Sequence, residues 1–354
     1  MSLKTRWVWQ SCMALCLWGN AMGGALAQPI LSGEMADQIG VRSEEKAMTP
    51  MDPALVSAIV QLQGLKVPEP QVQGRARLPL FALPGTSVYT VKAQLRELST
   101  QWLVDTGAST SMVATPVVET LGLKGTPIPN QRLSFAVAGN DCPNMNATLQ
   151  QLPPLTLGQL QVKGLHSLQF ANTVIPAELS GVLGMDVLRQ FDLHLHPGKA
   201  TLSLLPPTPL PVDEIAMAVP LQEKLGVMVA QLYMNGKGPF RVLLDTAADS
   251  TFISEQVAAK LNLDTATLSP IQIRGFCGLE DAMRSQLDSA TLHHHQQRDI
   301  DVIVLSSSIL KVLKVDGILG QNFLRHYQQY WRFNSESKKG SLLLVPLATS
   351  NPSP

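Results

Sequence analysis

Two aspartates occupy the same setting in this 354-residue chain. Gln101-Trp102-Leu103-Val104-Asp105-Thr106-Gly107-Ala108-Ser109-Thr110 recurs as Arg241-Val242-Leu243-Leu244-Asp245-Thr246-Ala247-Ala248-Asp249-Ser250-Thr251, an offset of 140 from Asp105 to Asp245. In each copy the Asp follows an apolar run and precedes Thr and small residues. An apolar strand delivers its last residue to the edge of a core, and small residues there admit another backbone. If the copies face each other across a pseudo-twofold axis, Asp105 and Asp245 meet. Two carboxylates in contact cannot both ionise easily, so they share a proton and titrate as a coupled pair. The charged member can take a proton from water while the neutral one protonates a carbonyl oxygen. Such a pair hydrolyses an amide with neither a metal nor a covalent intermediate.

A second motif pair follows in the same order. Ser180-Gly181-Val182-Leu183-Gly184-Met185-Asp186-Val187-Leu188-Arg189 recurs as Asp316-Gly317-Ile318-Leu319-Gly320-Gln321-Asn322-Phe323-Leu324-Arg325, an offset of 136 from Gly181 to Gly317. Two motif pairs at nearly equal offsets mark a duplication. The first half is read as 78–205, and four prolines in Pro206-Pro207-Thr208-Pro209-Leu210-Pro211 open a semi-rigid linker, 206–214. The second half is 215–347 and the tail 348–354. Strands are expected at Val88 to Leu95, Trp102 to Val104, Leu155 to Leu160 and Ala200 to Leu205 in the first half. In the second they fall at Val227 to Met234, Arg241 to Leu244, Ile271 to Arg274, Val302 to Leu305 and Ser341 to Val345. Helices are brief, Met185 to Arg189 and Ser254 to Leu261. The chain therefore reads as all-β and bilobal, two similar small barrels with minor helices.

The apolar-apolar-Asp-Thr-Gly-Ala motif with its later apolar-apolar-Gly segment resembles the aspartic proteases, the retropepsin-like branch especially, with both halves in one chain as in the pepsin-like enzymes. The resemblance spans about residues 78 to 347. It implies an aspartic endopeptidase in which Asp105 and Asp245 hold the attacking water. Thr106 and Thr246 would cross-brace the two loops, and Gly184 and Gly320 would pack behind them. Gly107 would present its backbone to the substrate, with Ala247 and Asp249 as the substrate-side residues of the other repeat. Ala138-Gly139-Asn140 and Gly275-Phe276-Cys277-Gly278 fall where each half's flap hairpin belongs. No cofactor or metal is implied, and the partner is a peptide or protein substrate met by a monomer.

Three departures stand out. Ala247 replaces a glycine, and its methyl would crowd a substrate backbone or require positive φ. Asp249 resembles an Asp that pairs with Arg, but the Arg position is Gln321, which would substitute a hydrogen bond. Ala108 and Ala248 lack a hydroxyl that would bond a carboxylate, which predicts a milder pH optimum than pepsin's. Ala247 keeps two alternatives open: a weak or inactive peptide-binding scaffold, and a processing protease dedicated to one partner.

The remaining features set context. Lys4 and Arg6 precede the apolar stretch Trp7 to Leu17, and Ala25-Leu26-Ala27 is a small-x-small site, so residues 1–27 read as a cleaved export signal. The mature protein is then expected to be soluble, periplasmic or secreted, without stable membrane insertion. It carries 25 basic against 27 acidic residues, a balance that offers no field for nucleic acid. Only Cys142 and Cys277 survive signal removal, in comparable intervals of the two halves; a bridge and free thiols are both open. His293-His294-His295 reads as an exposed hairpin in preference to a metal cluster, because adjacent strand side chains alternate faces. Residues 28–77 match neither half; their one helical pattern, Pro53 to Leu62, reads as a surface helix, with a propeptide over the cleft as the alternative.

Overall fold

The computed structural model describes residues 54–347 except 56–57, 138–145, 172–174, 177, 210, 264–267, 276–277 and 335. Residues 1–27, read as an export signal, residues 28–53, the tail, Ala138-Gly139-Asn140, Phe276, Cys142 and Cys277 lie outside them.

Each repeat is built round the strand that carries its aspartate. Trp102, Leu103 and Val104 in one, and Val242, Leu243 and Leu244 in the other, are buried on both faces. Such continuous apolar runs suit a strand covered on both sides. In the first half Leu98–Val104 pairs in parallel with Gly181–Leu183, with Trp102 opposite Gly181 and Val104 opposite Leu183. In the second, Lys237–Leu244 pairs in parallel with Gly317–Leu319, with Val242 opposite Gly317 and Leu244 opposite Leu319. On its other edge each glycine-led strand pairs antiparallel with the strand after the aspartate loop, Met112–Val113 or Thr251–Ser254. The aspartate loop is thus gripped by strands on both sides. The structure is all-β and bilobal: among the described residues an 11-stranded sheet belongs chiefly to the first half, and a 14-stranded sheet chiefly to the second.

The halves share main-chain bonds. Asp192–His196 and Thr201–Leu205, from the end of the first half, continue the larger sheet, with Leu193 antiparallel to Trp331 and Leu195 to Gln329. The linker is pinned beside them: the Thr208 amide and hydroxyl donate to Asp192 Oδ2 at 2.9 and 2.6 Å.

Two expectations are corrected. The described residues of Pro53 to Leu62 are not helical; Ala54–Leu55 and Ala58–Leu62 are strands. Ala58, Ile59 and Val60 are buried, and their backbone pairs antiparallel with Leu133–Val137, a partner no local pattern reveals. Leu155 to Leu160 is the start of a hairpin, Leu155–Leu157 pairing with Leu160–Lys163, because Gly158 turns the chain at φ +61°. The triple histidine lies at a hairpin turn, with His293 at φ +56° and the His295 ring against Tyr327 at 5.1 Å. Among the described residues no three His, Cys, Asp or Glu are grouped to hold a metal. None of their helices is long and apolar enough to cross a membrane.

Candidate active site

The two aspartate loops meet at the centre of the molecule. The amide N–H of Asp105 donates to Leu183 O and that of Asp245 to Leu319 O, both at 3.1 Å, so each loop hangs from its glycine-led strand. Thr106 and Thr246 then tie one loop to the other. The Thr106 hydroxyl donates to Leu244 O at 2.9 Å and accepts from the Thr246 amide at 3.0 Å. The Thr246 hydroxyl donates to Val104 O at 2.7 Å and accepts from the Thr106 amide at 3.1 Å. Four buried bonds related by the repeat make the cross-brace that the resemblance implies.

Above the brace the carboxylates of Asp105 and Asp245 lie against each other, both fully buried. Each Oδ1 accepts from the amide two residues on, Gly107 for Asp105 and Ala247 for Asp245, both at 2.7 Å. Burial, and after it the charge of Asp245, push the Asp105 pKa well above the ordinary carboxylate range, against the pull of the Gly107 and Ala108 amides. Oδ2 of Asp105 is buried and accepts no hydrogen bond among the described residues. That suits it to carry a proton shared with Asp245.

Close approach explains three of the glycines. A Cβ on Gly107 would run into the Asp245 carboxylate. One on Gly184 would lie 2.9 Å from Ala108 O, and one on Gly320 would lie 2.6 Å from Ala248 O. Both trailing glycines therefore sit directly behind the loops. The residue after each completes the contact: the Met185 amide donates to Ala108 O and the Gln321 amide to Ala248 O, both at 2.8 Å. Gly320→Ala is expected to cost about 1–3 kcal/mol in urea unfolding, because backbone atoms obstruct the new methyl.

The departures resolve individually. Ala247 has no positive φ, and its amide bonds Asp245 as Gly107 bonds Asp105. Its methyl is buried in an apolar cluster with Leu103, Ala108, Met112 and Val182. The expected Gln321–Asp249 bond is not made. Gln321 Nε2 donates to Thr246 O at 3.0 Å, turning inward to the loop it follows. Asp249 instead accepts from the Ser87 amide of the first half at 2.7 Å, and Arg325 donates to the Ser87 hydroxyl. The structure thus brings together Asp105, Asp245, Thr106, Thr246, Gly107 and Ala247, places Gly184 and Gly320 behind them, and uses Asp249 as a tie between halves.

One residue escaped the sequence reading. Ser109, the repeat counterpart of Asp249, holds the strand Ala58–Leu62 through both its amide and its hydroxyl. The 140-residue offset already aligned it with a residue read as substrate-side.

Family models match the chain once in each repeat. A family model described as gag-polyprotein putative aspartyl protease matches residues 230–326. A second, described as aspartyl protease, matches residues 91–187. Among solved structures, a retropepsin-like aspartic protease from Rickettsia conorii is similar at 16% identity and a TM-score of 0.28, covering 36% of this chain and 93% of that one. No curated protein matches the chain.

Proposed function

We propose that this chain, each of whose repeats matches an aspartyl protease family model, is an endopeptidase working through Asp105 and Asp245. The observation that carries the reading is the contact of two buried carboxylates held by the reciprocal Thr106–Thr246 brace. Burial favours one shared proton on the pair; with it on Asp105, that residue is the acid and Asp245 the base. Asp245 takes a proton from water as the oxygen attacks the peptide carbonyl, and Asp105 protonates the carbonyl oxygen. The tetrahedral diol then collapses: its C–N bond breaks, the nitrogen leaves with a proton from Asp245, and a hydroxyl proton returns to Asp105. The pair ends as it began, and one water has been consumed.

The raised Asp105 pKa fixes the direction of the pH dependence. The working form has one proton on the pair, and a raised pKa keeps that form populated to higher pH. The rate of peptide cleavage is expected to peak in mildly acidic to near-neutral solution; a maximum confined to strong acid contradicts the assignment. The test of function is mass-spectrometric detection of new termini when the purified protein meets a mixed peptide library across pH. Binding without cleavage at any pH would favour the scaffold reading. Cleavage of one protein and of no library member would favour a dedicated processing enzyme. We further propose export by residues 1–27 and action as a monomer, supported by the signal-like sequence and by both aspartates lying in one chain.

A further inference from the structure

Among the described residues the strand Ala58–Leu62 has no counterpart in the second repeat, yet it lies against the active-site loop. The Ser109 amide donates to Ala58 O at 3.1 Å. The Ser109 hydroxyl accepts from the Val60 amide at 2.9 Å and donates to Val60 O at 3.1 Å. Residues 58 and 60 thus turn their backbone to a residue four positions beyond Asp105. The strand's other edge pairs antiparallel with Leu133–Val137, Ala58 opposite Val137 and Leu62 opposite Leu133, and the Gln63 amide donates to Arg132 O at 2.8 Å. Side chains follow the same alternation. Ala58 and Val60 enter the cluster that holds Ala108 and Ala247, one from each aspartate loop, while Ile59 joins the main core.

The segment also reaches the second half. Gln61 Nε2 donates to Leu225 O at 3.2 Å. Just upstream, Ala54–Leu55 pairs in parallel with Arg274 and Gly275 of the strand Ser269–Gly275. Leu133–Val137 and Ser269–Gly275 are the same strand of the two repeats. Two strands related by a twofold run in opposite directions across the groove between them. One extended chain crossing that groove must meet the first antiparallel and the second parallel, which is the pattern observed. A strand belonging to the first half alone would have no reason to meet both.

We propose that Ala54–Leu55 and Ala58–Leu62 are internal occupants of the peptide-binding groove, Ala58–Leu62 held by Ser109 on one edge and Leu133–Val137 on the other, and that they must leave before another peptide enters. The groove's ligand is accordingly an extended peptide with small or β-branched apolar residues, of the type Ala-Ile-Val, bound mainly through its main chain. Ser109 is a peptide-binding residue, and its clamp is sequence-tolerant because it grips backbone. The proposal rests on the hydrolytic reading only for its consequence for activity, since occupancy can be measured by binding.

The experiment uses the full chain with Ala58→Arg and Val60→Arg together, which force two charges into the apolar cluster. A fluorescein-labelled synthetic peptide of residues 54–65 is titrated against this variant and against wild type by anisotropy. The variant is expected to bind the peptide about tenfold more tightly or better, since in wild type the groove is rarely free. Library cleavage by the variant should rise in step and fall again as unlabelled peptide is added. Equal binding to both proteins, or binding to neither with the variant folded by circular dichroism, overturns the proposal. Should the variant not fold, a protease site inserted at exposed Gln63-Gly64 lets wild-type sequence be nicked instead. Exchange of the nicked segment for labelled peptide with the fold intact supports the proposal; release only on global unfolding overturns it. Peptide binding by the freed groove without cleavage leaves the occupant established and removes the hydrolytic reading.

Discussion

Asp105→Asn and Asp245→Asn are each expected to lower the rate of the proposed peptide cleavage by about a hundred- to ten-thousand-fold, the contribution of a positioned acid or base. Asparagine keeps the carbonyl oxygen that accepts the Gly107 or Ala247 amide, so the loop geometry survives. What it removes is the exchange of one proton between two acids, and either substitution ends that. The two losses are therefore similar, and the double variant is hardly worse than either single one. Thermal melting separates this from damage to the fold. The folded pKa of Asp105 lies above its unfolded value of 3.8, so the native state holds that proton more tightly. Stability contributed by the group is present below 3.8 and is lost as pH rises through the folded pKa. Asp105→Asn does not titrate. It should melt above wild type in mildly alkaline buffer, with the gap closing towards acid, while remaining inactive throughout. Equal melting shifts at all pH values would count against the buried shared proton.

Thr106→Val and Thr246→Val have the next largest effect, and on both stability and rate. Valine fills nearly the same space but leaves one buried amide and one buried carbonyl without partners. At about 1–3 kcal/mol for each stranded group, either variant loses about 2–6 kcal/mol in urea unfolding. The brace also fixes the spacing of the carboxylates, and a shift of about 1 Å at a catalytic group costs on the order of a hundredfold in rate. Thr106→Ser and Thr246→Ser retain both bonds and should restore most of each quantity. Serine variants as impaired as valine ones would show that the methyl, not the hydroxyl, matters. The double valine variant should cost less than the two single losses together, since one brace serves both loops.

The duplication made the centre of the molecule readable. Residues that repeat at one offset and end apolar runs must occupy equivalent places, and the Thr106–Thr246 bonds, 140 residues apart, follow from that symmetry. What stayed hidden is what breaks the symmetry. Ala58–Leu62 reads as helical because its apolar spacing fits a helix, while its true partners, Ser109 and Leu133–Val137, lie far along the chain. Asp249 and Gln321 looked like a pair by position, but Ser87, 162 residues from Asp249, supplied a better donor. The Leu155 hairpin was lost for a local reason, since one glycine at positive φ inside an apolar run looks like a pause rather than a reversal.

The antiparallel pairing of Asp192–His196 with Tyr327–Asn334 has a consequence for how such a site can be altered. Joined through one sheet and one chain, the aspartates meet at an effective concentration that does not change with dilution, so specific activity should be the same at any protein concentration. In a dimer of identical chains, every substitution lands twice, once on each side of the axis. Here it lands once. Alanine can follow Thr246 while glycine follows Thr106, and serine can grip a peptide at one end while aspartate ties the lobes at the other. The covalent join frees each half to specialise for one end of a ligand that itself has a direction.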